Sequence, residues 1–131
     1  MRLRAAVLLM VPALLAPAVR AGQNADEKFF DKHVAPVLIR RCLPCHDTEL
    51  NNGGISFRDR QSLLRGGTRG PALVPGKPSE SLMIRALKHE GELQMPPGPA
   101  LPPRESAVLA EWVRRGAVWG TKLPMRRRGP Y

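Results

Sequence analysis

Proline and glycine limit what this chain can fold into more than any other feature. Residues 22 to 131 hold 12 of the 14 prolines, together with the glycines, so much of this stretch cannot be regular helix or strand. A domain this small with this much loop has a thin hydrophobic core. Small domains usually meet that problem with disulfides or a bound cofactor. The only two cysteines, Cys42 and Cys45, stand three positions apart. A bond between them would close a tiny loop and constrain little of the unfolded chain. A disulfide framework is therefore excluded, and the fold needs another staple.

The start of the chain reads differently. A basic Met1-Arg2-Leu3-Arg4 precedes an apolar run over residues 5 to 19, and Val19-Arg20-Ala21 places small residues before a cut after Ala21. That layout predicts a secretory leader over residues 1–21. The run is shorter than the roughly 20 residues of a spanning helix and is interrupted by Pro12 and Pro17, so no stable membrane span is expected after cleavage. Without the leader, 18 basic side chains face 11 acidic ones, about +7. Part of that excess sits in Lys122 and Arg126-Arg127-Arg128, a solvated tail rather than a groove. An aromatic content of 5% leaves little for bases to stack on, so no nucleic-acid partner is expected. An acidic protein partner fits the charge.

Three helices can be read between the loops. Asn24 and Glu27 resemble a capping box, and Phe29, Phe30, Val34, Val37 and Leu38 follow at helical spacing, with a kink or break expected at Pro36. Asn51-Asn52-Gly53-Gly54 predicts a turn, and a short helix over Arg60 to Leu64 is plausible. Ser79 is the expected cap of a second helix whose apolar face is Leu82, Met83, Ala86 and Leu87. The last helix opens at Pro103, buries Val108, Leu109, Trp112 and Val113, and stops at Gly116. No segment alternates long enough for a sheet, so the expected class is all-α.

The chemistry is concentrated in Cys42-Leu43-Pro44-Cys45-His46. Two thiols at this spacing can add to the two vinyl groups on one edge of a haem, and the adjacent histidine is then held under the iron. A redox-active cysteine pair, a zinc site and a plain disulfide compete with that reading. The redox pair lacks its usual βαβ surroundings. Zinc needs a fourth ligand from His33 or His89, and the disulfide leaves His46 unexplained. If haem is bound, a methionine sulfur suits its second axial position. Met95 stands in a loop stiffened by Pro96 and Pro97, which suits a weak ligand, although an isolated methionine is also a common gap filler. Met83 lies on a helix stripe and reads as core. Met125 falls in the basic tail, and His33 and His89 sit among charged residues and read as facing water.

Taken together, Phe30-x-x-x-Val34-x-Pro36-Val37-Leu38, the Cys42 to His46 motif, Gly53-Gly54-Ile55, Leu63 to Gly67, Gly70 to Pro78, Ser81 to Leu87, Met95-Pro96-Pro97 and Glu111-Trp112-Val113-x-x-Gly116-Ala117 resemble the planctomycete-type cytochrome c domain. The likeness runs from residue 30 to about 119, with the motifs in order. It implies a class I cytochrome c-like fold: three or more helices and long Gly/Pro-rich loops around one covalent haem c, with first and last helices crossing near one edge. It implies that Met95 supplies the sulfur ligand, since it matches the family's ligand position. In the family this module usually opens a longer exported protein, whereas this sequence ends at Tyr131, so partners of that larger architecture are not carried over.

The expected organisation is a leader over 1–21, a haem domain over 22–121 and a basic tail over 122–131. The expected role is one-electron transfer by a periplasmic or secreted monohaem protein with redox partner proteins. Cys42 and Cys45 would anchor the haem, and His46 and Met95 would bind its iron. The alternatives are a haem-based redox or gas sensor, or a peroxidase-like enzyme using His89 as its acid-base group.

Overall fold

The computed structural model describes residues 16–47 and 52–123. The basic start and apolar run of the expected leader up to residue 15, Asn51 of the predicted turn, Met125 and the Arg126 to Arg128 cluster lie outside them. The first helical rod comprises α1 (Ala16–Phe29), a π-helical turn (Phe30–Val34) and α2 (Ala35–Arg41). Helix α1 thus starts eight residues before Asn24, which sits inside it rather than at a cap, and it runs through the expected cut after Ala21. Nothing between Ala18 and Gln23 opposes helix except Gly22, so the local cap signal is overridden. The break expected at Pro36 is the π turn. Pro36 cannot donate to the carbonyl four residues back and its ring crowds it, and the chain widens just upstream, with the Ala35 N–H reaching the Phe30 carbonyl.

After the loops come α3 (Arg60–Arg65), α4 (Leu82–Leu87) and α5 (Pro103–Arg114). Among the described residues there is no strand; Gly67 and Gly70 form an isolated bridge, in keeping with an all-α chain. Asp59 caps α3 by accepting the Ser62 N–H at 2.7 Å. Helix α4 begins later than expected. Ser79 is exposed in the preceding turn, and Ser81 takes the cap position with its side chain turned elsewhere, donating to Lys77 and Val74 carbonyls and accepting the Val74 N–H at 2.9 Å. That commitment leaves Ser81 fully buried but satisfied. Helix α5 ends as its sequence reads. The Ala117 N–H bonds the Trp112 carbonyl, the Gly116 N–H bonds the Val113 carbonyl, and Gly116 has φ 92°, a Schellman motif.

The core forms where the π turn packs against α5. Phe30, Val34, Leu38, Leu63, Leu73, Leu109, Trp112 and Val113 are fully buried. The Phe30 ring lies 5.6 Å from Trp112 and 4.4 Å from Trp119, in the tilted arrangement aromatic quadrupoles favour. Trp112 donates its indole N–H to the Val118 carbonyl at 2.8 Å. Lys122 and Leu123, read from sequence as the start of a basic tail, belong to this body: the Lys122 N–H is bonded to Asp31 and Leu123 is buried. No helix among the described residues is long and apolar enough to cross a membrane.

Candidate haem site

The end of α2 builds one side of the site. Cys42 caps the helix, its N–H on the Leu38 carbonyl, and the chain continues in a tight turn in which the Cys45 and His46 N–H groups both bond the Cys42 carbonyl. This turn gathers the two sulfurs and the imidazole along one wall of a cavity of about 370 Å³. The Phe57 N–H holds the His46 carbonyl at 2.8 Å, and the Phe57 ring packs 5.4 Å from the imidazole. Arg58 clamps Asp47 with two hydrogen bonds of 2.6 and 2.9 Å, which fixes the chain just past His46.

Leu82, Met83, Leu87, Leu93 and Leu101 supply much of the apolar wall, and Met95 lines the same cavity. Met83 therefore does two things: it is buried, as its helix stripe implies, and it also faces the cavity. Met95 is half-buried, with its N–H on the Ala86 carbonyl at 3.1 Å.

His46 lines the cavity, and its Nδ1 is buried with no hydrogen-bond partner. An atom with no accessible surface cannot meet a metal, so only Nε2 could reach an iron in the cavity. The imidazole shares that cavity with Cys42, Cys45 and Met95, residue types that fit a haem iron flanked by its attachment groups. Cys42 and Cys45 are not joined to each other. Burial, with a smaller push from the Glu105 carboxylate, drives the Cys42 thiol up to about 12. It stays protonated at neutral pH, whereas a redox-active pair works through a thiolate of lowered pKa. Among the described residues no three His, Cys, Asp or Glu side chains converge as a metal site, so the zinc reading gains no fourth ligand from His33 or His89. Glu105 accepts Arg41 Nε at 2.9 Å and Arg40 at 3.3 Å. Chiefly the Arg41 hydrogen bond holds its carboxyl below the ordinary range against partial burial.

His89 departs from expectation. It does not simply face water: half-buried, it sits at φ 56° with Nε2 3.1 Å from the Met95 carbonyl. His33 is exposed and packs its ring 5.1 Å from Phe29. Two contributors escaped the sequence reading. Phe57, alone in a loop, had no periodicity to mark it, and Arg41 lines the cavity from a position that reads only as a basic helix end.

No curated protein and no solved structure matches the chain. A family model described as Planctomycete cytochrome C matches residues 42–99. That span begins at Cys42, takes in the glycine loops, α3 and α4, and closes just after Met95-Pro96-Pro97. Over residues 42–99 the chain is thus similar to the planctomycete cytochrome C family.

Proposed function

We propose that this protein is a small exported electron carrier holding one covalent haem c, with Cys42 and Cys45 as attachment points and His46 and Met95 as axial ligands. The observation that carries the reading is the single cavity lined by Cys42, Cys45, His46 and Met95. A bound haem supplies a one-electron couple at its iron. The chain's own part is to anchor, bury and orient that group. The Cys42 to His46 turn sets the attachment edge, the leucine wall excludes water, and the Met95 loop presents sulfur. Export rests on the leader-like residues 1–21. A carrier is favoured over a peroxidase-like enzyme because His89 has its Nε2 committed to the Met95 carbonyl. Protein produced with haem-attachment machinery should have the mass of residues 22–131 plus one haem, and the colour should survive acid-acetone extraction. A bare-chain mass, or haem released into the solvent, would sink the proposal.

A further inference from the structure

We propose that His89 is a positioning residue that clips the Met95 loop in the conformation that presents the sulfur to the cavity. The inference rests on Met95 being an axial ligand and adds what keeps it there. Both backbone polar groups of Met95 are pinned. Its N–H bonds the Ala86 carbonyl at 3.1 Å, and its carbonyl lies 3.1 Å from His89 Nε2. A carbonyl can only accept, so Nε2 carries the hydrogen and donates.

The clip is built rather than incidental. His89 follows the end of α4 and takes φ 56°, a left-handed conformation uncommon for a side-chain-bearing residue. That turn directs its ring back over the loop it begins. The Gln94 side-chain amide closes the same loop, donating to the carbonyls of Gly91 at 3.2 Å and His89 at 3.4 Å. Residues 89 to 95 thus form a small closed loop anchored on the last turn of α4, whose Met83, Ala86 and Leu87 line the cavity. With both peptide groups of Met95 held, the direction of its Cα–Cβ bond is set. The sulfur then needs only its own rotamers to settle, which lowers the ordering cost of a weak bond.

The test uses haem-loaded protein and imidazole as a competitor for the methionine's position. His89→Gly keeps the backbone free to hold positive φ and removes the donor; His89→Gln retains a donor of similar reach. His89→Gly should raise imidazole affinity about five- to tenfold, the worth of one hydrogen bond. It should also weaken the long-wavelength band of methionine-ligated ferric haem, and His89→Gln should restore both. In a Met95→Ala background, His89→Gly should change imidazole affinity not at all, because there is no sulfur left to position. An unchanged affinity in His89→Gly, an equal rise in the Met95→Ala background, or failure of His89→Gln to rescue would overturn the clip. If Met95→Ala itself leaves the band and the imidazole affinity unaltered, it is the Met95 ligation that falls. Should His89→Gly not load haem, His89→Asn takes its place. It tolerates positive φ, is too short to reach the carbonyl, and should behave as the glycine variant is expected to.

Discussion

Asp31 accepts the backbone N–H of Thr121 at 2.8 Å, across 90 residues of sequence. The same carboxylate takes the Thr121 hydroxyl and the Lys122 N–H, each at 2.9 Å. One side chain in the π turn therefore holds the segment leaving α5, and Gly120 lies so close beneath it that a Cβ there would strike the carboxylate. Burial works to raise the Asp31 carboxyl, but the hydrogen bonds from Lys122 and Thr121 outweigh it and leave the group below its ordinary value of 3.8.

The first prediction follows from that clasp. Asp31→Ala should cost about 1 kcal/mol, the charged hydrogen-bond scale discounted for solvent exposure, seen as a fall of about 4–8 °C in Tm. The pH sign is that of a depressed carboxyl: its stabilisation is complete above the unfolded value and lost as pH falls through the folded one. Thermal melts of the wild type should weaken below about pH 4 more than those of Asp31→Ala. Parallel acid profiles for the two proteins would argue that the clasp contributes nothing.

A second prediction concerns the staple. The side chains lining the cavity of about 370 Å³ have no partner atoms on one side unless it is filled. A whole domain is typically stable by only about 5–15 kcal/mol. Cys42→Ser with Cys45→Ser should therefore leave the chain largely unfolded by far-ultraviolet circular dichroism. A sharp, cooperative melt with native helicity would show that the core stands by itself.

Two methionines line the cavity, and they should behave differently. Met95→Ala should lower the reduction potential, since methionine ligation raises it, and should open the reduced iron to carbon monoxide. Met83→Leu, nearly volume-conserving, should cost under about 1.5 kcal/mol and leave the potential in place. The reverse pattern in a redox titration would move the ligand to α4.

Charge at the cavity makes a further prediction. Arg69 is exposed and lines the cavity, so it stands where an acidic redox partner would approach. Association with such a partner should slow as salt is added, and Arg69→Glu should slow it about threefold or more at low salt. Stopped-flow rates for that variant indistinguishable from wild type would leave the basic excess without a docking role.

What could be read in the sequence divides by range. Helix α5 was legible at both ends because Pro103 and Gly116 act on their immediate neighbours, and the Phe30 to Leu38 stripe because burial repeats every turn. The Cys42 to His46 motif was legible because its spacing is itself the chemistry. Asp59 was an overlooked local cap, and Ser79 was preferred to Ser81 because both are good cap residues and only the fold buries one. His89 and Asp31 could not have been read. Each is a polar residue among charges, and its partner is chosen by how distant loops return to the core.

The two glycine loops carry a consequence of their own. The Thr68 N–H bonds the Gly53 carbonyl at 3.1 Å, and a Cβ on Gly67 would collide with that same oxygen. The loops are thus stacked backbone on backbone, with no side chain between them. At the cavity mouth the neighbouring Thr68 and Arg69 are exposed, so a changed side chain there meets solvent rather than the facing loop. Gly67 is closed to every other amino acid: even alanine would wedge the loops apart, and the entrance would change shape before its chemistry did.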